Sequence, residues 1–138
     1  MTDTSNPSFE LKNRLQWALF ILRITVFIVM FAWTLDKFFH PDHTMKVLQG
    51  FYGISSFGYT IIYAIATIQM LLIVSFLIGA KKTITYGAVL ILHSISTIAA
   101  YNQYLDMFNN LLFFAAWPML GACITLYLLR NADTKYSV

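Results

Sequence analysis

The stretch LQWALFILRITVFIVMFAWTL, from Leu15 to Leu35, is interrupted only by Gln16 near its start and by Arg23 in its interior. A helix needs roughly 17 to 25 largely apolar residues to cross the ~30 Å hydrocarbon core of a bilayer, and this run meets that length. Lys12 and Arg14 precede it much as basic residues precede a secretory leader. The run is too long for a leader's apolar segment, carries a charge and is followed by no small-residue cleavage site, so it is expected to stay in the mature chain.

Three more runs follow the same rule: Tyr59 to Ala80 with Gln69 in the middle, Thr83 to Tyr101 with His93, and Leu111 to Leu129 with Pro118. Backbone N–H and C=O groups in lipid must be paired within the protein, and four long runs are too few for a closed barrel of strands. The expected fold is therefore all-α, a four-transmembrane-helix bundle with spans at about 15–35, 59–80, 83–101 and 111–129. Composition agrees: of 138 residues 59% are hydrophobic and 11% charged, where an ordinary soluble domain has about 25% charged. Residues 1–14 and 130–138 read as short polar segments outside the membrane. A single cysteine, Cys123, excludes an intrachain disulfide and a thiolate metal site.

Between the first two runs the chain reads HPDHTMKVLQGFYGISSFG, His40 to Gly58. Pro41 suits a first helical position, and Met45, Leu48 and Phe51 or Tyr52 recur at helical spacing. A short amphipathic helix lying in the outer interface is expected there, with Gly50, Gly53 and Gly58 ending it and turning the chain back into the membrane. Lys12, Arg14, Lys81, Lys82, Arg130 and Lys135 fall on one side of this arrangement and only Lys37 and Lys46 on the other. The basic side is cytoplasmic by the positive-inside rule, so both termini are expected in the cytoplasm. The net charge of +3 is scattered rather than gathered on one face, which fits anionic lipid and gives no support to nucleic acid as a partner.

An ionisable or amide side chain inside a span is costly and is the first place to look for function. Counted from the expected boundaries at 1.5 Å per residue, Arg23 lies roughly 12 Å deep, and Gln69 and His93 each roughly 15 Å. If all three face inward they can hold a polar head group. The plainer readings are that Arg23 snorkels to the phosphates and that Gln69 and His93 bond neighbouring helices. Pro118 and Gly121 suggest a kink and a close helix contact. A second polar cluster is expected on the outer side, with Asp36, Lys37, His40 and His43 facing a loop that carries Asn102 and Asp106. His40 and His43 with nearby carboxylates are a weak metal pattern, and a solvated interface is the better reading, so no metal is assigned.

One histidine within the spans excludes an intrachain bis-histidine haem. No Walker loop, GxGxxG turn, GxSxG elbow or HExxH helix is present, so catalysis of a familiar soluble kind is not expected.

The arginine at Arg23, the exit motif WTLDKFFHPD from Trp33 to Asp42, the amphipathic connector, the polar residue in mid span two and the LIGAKK turn from Leu77 to Lys82 together resemble the DoxX-like family of small four-helix membrane proteins. Arg23 and Lys37 match that family's arginine and exit lysine, whereas Leu35-Asp36 and Gln69 stand where relatives often have a glycine and an acidic residue. The resemblance implies association with membrane redox enzymes, including a thiosulfate:quinone oxidoreductase. Its expected consequence is an accessory subunit of a membrane oxidoreductase, with protein partners or further copies of itself, in a bacterial or archaeal cell membrane. In that reading Arg23, Gln69 and His93 line a pocket for a quinone-like cofactor, the arginine stabilising an oxyanion and the histidine exchanging a proton. The residues leave two alternatives open: an oligomeric transporter or channel subunit for a small solute or proton, and a membrane scaffold or assembly factor.

Overall fold

A computed structural model describes residues 6–138, and within them the chain is all-helical. Residues 1–5 of the expected N-terminal segment lie outside the described residues. Helix α1 spans Pro7–Phe39, α2 Pro41–Tyr52, α3 Tyr59–Leu77, α4 Lys82–Ala99 and α5 Tyr101–Leu105. Two 3-10 turns, Met107–Asn109 and Leu111–Ala115, lead into α6, Ala116–Leu128.

Helix α1 starts well before the expected boundary. The Asn6 side chain accepts a hydrogen bond from the Ser8 N–H at 3.0 Å, and Pro7 takes the first turn, where a missing N–H costs nothing. At 33 residues α1 is about 50 Å long, more than a hydrocarbon core requires, so its first two turns extend past the apolar run. Glu10 and Arg14 pair across one turn of that extension.

Between α1 and α3 the expected short helix forms as α2, with Pro41 opening it and Gly53 closing it at φ 67°. That left-handed conformation is one a glycine adopts without steric cost. The α3–α4 turn needs positive φ twice, at Gly79 (73°) and Lys81 (48°). In the last run the first five residues, Leu111–Ala115, are 3-10 and only Ala116–Leu128 is α-helical. Pro118 sits in the first turn of α6, so it marks where the helix begins and produces no kink within it.

Three segments among the described residues are long and apolar enough to cross a bilayer: α1, α3 and Leu111–Leu128. Helix α4 has nearly the length of α3, but Lys82, Thr83, Thr85, Tyr86, His93, Ser94, Ser96 and Thr97 lower its apolar content. Helix α1 packs on α3 and α6, and α4 packs on the same two, so the four long helices close a ring. The stripe Leu19, Arg23, Val26, Met30 and Thr34 turns inward from α1, at spacings of three and four residues that keep one helix face. It meets Ile73 and Phe76 of α3, Tyr86 and Val89 of α4, and Cys123 and Leu126 of α6.

The close helix contact expected at Gly121 is at Gly87 instead. A Cβ built on Gly121 meets nothing within 4 Å, whereas one on Gly87 lies 3.3 Å from the Tyr127 ring of α6. Glycine at 87 lets that ring lie against the α4 backbone. Overpacking a tight contact typically costs about 1–3 kcal/mol. Gly87→Leu should accordingly lower the thermal midpoint in detergent, and Gly121→Leu should leave it nearly unchanged, as fluorescence-detected melting can measure.

Candidate functional site

The polar centre of the protein lies at the end of the bundle that carries the α3–α4 turn, and it is closed by the C-terminal tail. Arg23 is fully buried, as is Asp133 of the tail, and their side chains approach to 3.3 Å. Tyr86 of α4 joins them: its hydroxyl donates to Asp133 Oδ2 at 2.6 Å and accepts from Arg23 at 3.2 Å. The other guanidinium nitrogen donates to the Lys135 and Tyr136 carbonyls, at 2.5 and 3.2 Å. Guanidinium, phenol and carboxylate form one hydrogen-bonded unit in the interior, and charged partners make such bonds about twice as strong as neutral ones.

Several further contacts hold the tail over this unit. Lys82 Nζ donates to the Asp133 carbonyl and to Ser137 Oγ. Gln16 donates to Thr134 Oγ1 at 2.7 Å, and the Val138 N–H donates to the Ile78 carbonyl at 2.9 Å. The Lys135 ammonium sits 4.1 Å from the centre of the Trp17 ring, a cation–π contact, and Tyr136 packs on Phe20 with ring centres 5.1 Å apart. Gly79 makes the close approach possible. A Cβ there would lie 2.6 Å from Ser137 Cβ and 3.0 Å from an Arg23 nitrogen, and the positive φ already disfavours any other residue.

The structure does not assemble the expected pocket of Arg23, Gln69 and His93. Side chains on a helix lean toward its N-terminus, so Arg23 reaches back to the tail end and meets Tyr86, which precedes His93 on α4 by seven residues. That places His93 about 10 Å farther along the bundle. His93 is buried and turned inward. Its Nε2 lies 2.9 Å from the Ala116 carbonyl and ties α4 to the start of α6, while Trp33 of α1 stacks near its ring. Gln69 is only half-buried and lines an apolar groove between α3 and α4. Counting residues from boundaries treats each side chain as level with its own Cα. The long, tilted arginine breaks that assumption, and Gln69 sits on a different face of its helix.

At the far end of the bundle, Asp36 gathers both histidines: His40 Nδ1 lies 3.1 Å and His43 Nδ1 2.5 Å from its carboxylate. Lys37 donates to the Trp33 carbonyl at 3.1 Å and so caps α1, and Asp42 accepts from the Tyr59 hydroxyl at 2.5 Å. Asp106 is satisfied within its own loop by Asn109, and Asn102 is exposed. The outer cluster thus divides into an Asp36 group and a separate Asp106 turn, each bonded locally. Burial raises the pKa of Tyr104 above its ordinary value, and its hydroxyl donates to the Thr97 carbonyl at 2.9 Å. No group of three or more His, Cys, Asp or Glu placed to hold a metal ion is found among the described residues.

Asp133, Tyr86, Lys82 and Gly79 belong to this site, and hydropathy places none of them in it. Comparison with known protein families, with curated proteins and with solved structures finds no match to this chain.

Removing one member of a buried ion pair leaves the other uncompensated, at about 3–5 kcal/mol. Arg23→Met should therefore lower thermal stability strongly and expose the tail, measured as faster trypsin cleavage after Arg130 or Lys135. The double variant Arg23→Met/Asp133→Leu should recover much of the loss, because neither charge then remains. Gly79→Ala should free the tail with the pair's own residues intact, since a strained left-handed backbone alone costs about 1–3 kcal/mol.

Proposed function

We propose that this chain is a four-span integral membrane protein with both ends in the cytoplasm, serving as a non-catalytic or partner-dependent accessory subunit of a membrane oxidoreductase system. Helix α4 supplies the fourth crossing. Its polar side chains Tyr86, His93 and Thr97 are buried in the ring rather than turned to lipid, so its low apolar content does not carry the cost it would have on an outer face. The observation that carries the accessory reading is the pairing of Arg23 with Asp133. The most costly intramembrane charge of the chain is satisfied by the chain's own tail, and His93 likewise bonds across helices. Such groups fix helix register and hold a shape for partners to bind.

The link to oxidoreductases rests on the resemblance to DoxX-like proteins over the exit motif and the LIGAKK turn. A quinone-like head group belongs to this reading as a ligand of the assembled complex, since Arg23, Gln69 and His93 have separate surroundings in this chain. The transport alternative gains no support from the interior. Between Arg23 and His93 the ring is filled by Val26, Met30, Ile73 and Val89, which leaves no polar path through one copy.

Two measurements test the proposal. Reporters fused in turn to each end should both read cytoplasmic; ends on opposite sides would mean three crossings and would overturn the topology. Gentle purification from native membranes should bring down a flavin-, haem- or iron–sulfur-containing oxidoreductase together with this chain. Redox turnover by the purified chain alone would sink the accessory assignment.

A further inference from the structure

Gln69 stands one residue past the middle of α3, in a helix otherwise built almost wholly of Ile, Leu, Ala, Val, Met and aromatic residues. The side-chain hydrogen bonds of α3 are those of Thr67 and Ser75 to their own helix and of Tyr59 to Asp42. The Gln69 amide makes none among the described residues. It lies instead in a groove of about 370 Å³ on the outside of the ring, between Ile65, Ile68 and Leu72 of α3 and Ala88 and Leu92 of α4. Ile68 beside it is 69% exposed, and Ile91 across the groove 60%. An amide at the midplane of a bilayer has neither water nor headgroup within reach, and acyl chains offer it neither donor nor acceptor.

We infer that this groove is the dimerisation face of the protein, and that Gln69 pairs with Gln69 of a second copy. Copies inserted in the same orientation place each residue at the same depth, so a second copy that meets this face about a two-fold axis brings its own Gln69 to the level of the first. A primary amide is self-complementary, with two N–H donors and a carbonyl acceptor, and two of them form a reciprocal pair across a two-fold axis. Exposed Ile68 and Ile91 and the small Ala88 side chain line the same groove as Gln69. Ile65, Ile68, Gln69 and Leu72 follow the i, i+3, i+4, i+7 spacing that lets one helix seat against another. The inference rests on the membrane placement of α3 and is independent of any link to redox enzymes.

The test uses the full chain in liposomes, with dimerisation followed by energy transfer between donor- and acceptor-labelled copies over a series of protein-to-lipid ratios. Wild type should dimerise, and Gln69→Leu, which keeps the shape and removes the amide, should raise the dissociation constant about tenfold, the factor that corresponds to 1.4 kcal/mol and lies within the range for interhelical hydrogen bonds. Gln69→Asn should keep most of the affinity. With Cys123→Ala as background, Ile68→Cys should form an intermolecular disulfide under a copper–phenanthroline oxidant, and Ile28→Cys on α1 should not. The inference fails if wild type stays monomeric at every ratio, if Gln69→Leu dimerises as well as wild type, or if position 28 cross-links and position 68 does not. Altered topology of the chain would show in the end-fused reporters and leave these affinity ratios untouched, so the two sets of results separate.

Discussion

A guanidinium held away from water must find an anion, and in this protein that requirement organises one whole end of the molecule. Arg23 lies in the inward stripe of α1 with no exposed surface, and Asp133 meets it from a tail more than a hundred residues later. The Coulomb attraction of a buried pair roughly offsets the cost of desolvating it, so the pair adds little net stability. What it does is make every other arrangement of the tail expensive. Once Asp133 is committed, the carbonyls of Lys135 and Tyr136 fall on the guanidinium, Ser137 is brought against Gly79, and Lys135 comes over Trp17. A side-chain hydroxyl on Tyr86 then fixes the position of α4 relative to α1. One charge inside the ring thereby sets the register of two helices and the path of the final nine residues.

Much of the architecture was legible because lipid imposes so few options. Length and apolar content place α3 and α4 to within about three residues, and Pro41 and Gly53 bracket the short connecting helix because the backbone conformations they favour are local properties. The exceptions have physical causes. Helix α1 continues back to Pro7 because capping and an internal ion pair sustain helix outside the apolar run, where hydropathy carries no signal. The last run reads as uniformly apolar, yet Leu111–Ala115 wind as 3-10, a choice between hydrogen-bond patterns to which hydropathy is indifferent. Gly121 and Gly87 look alike in sequence, and only the position of the Tyr127 ring separates them.

The site was less legible, and Arg23 explains why. Its burial was foreseeable, but its partner was sought at equal depth on neighbouring helices. A tail of mixed small and polar residues was assigned to solvent. The available signal was one of charge balance. Of the five acidic residues among the described ones, Asp36, Asp42 and Asp106 belong to the opposite end of the bundle, and Glu10 sits on the same helix as Arg23, about 20 Å away at 1.5 Å per residue. Asp133 is then the carboxylate within reach on the C-terminal side, and a buried arginine is itself evidence that such a tail folds back.

Arg23, His93 and Gln69 looked equivalent as polar interruptions of apolar runs, and the structure separates them by what satisfies each. The terminal nitrogens of Arg23 are met by the chain's own tail and His93 Nε2 by a backbone carbonyl of the adjacent helix, while Arg23 Nε, Asp133 Oδ1 and His93 Nδ1 have no partner among the described residues. Among the described residues Gln69 is met by no hydrogen-bond partner, and it lies on the outer surface of the ring. The bonds that Arg23 and His93 do make hold the structure in place, and a ligand for those atoms must first replace bonds already made. An unsatisfied group in hydrocarbon carries the opposite consequence: any partner that supplies a complementary bond lowers its free energy. The bonds turned inward therefore belong to the stability of this bundle, and the mid-helix amide of α3 turned outward belongs to its association.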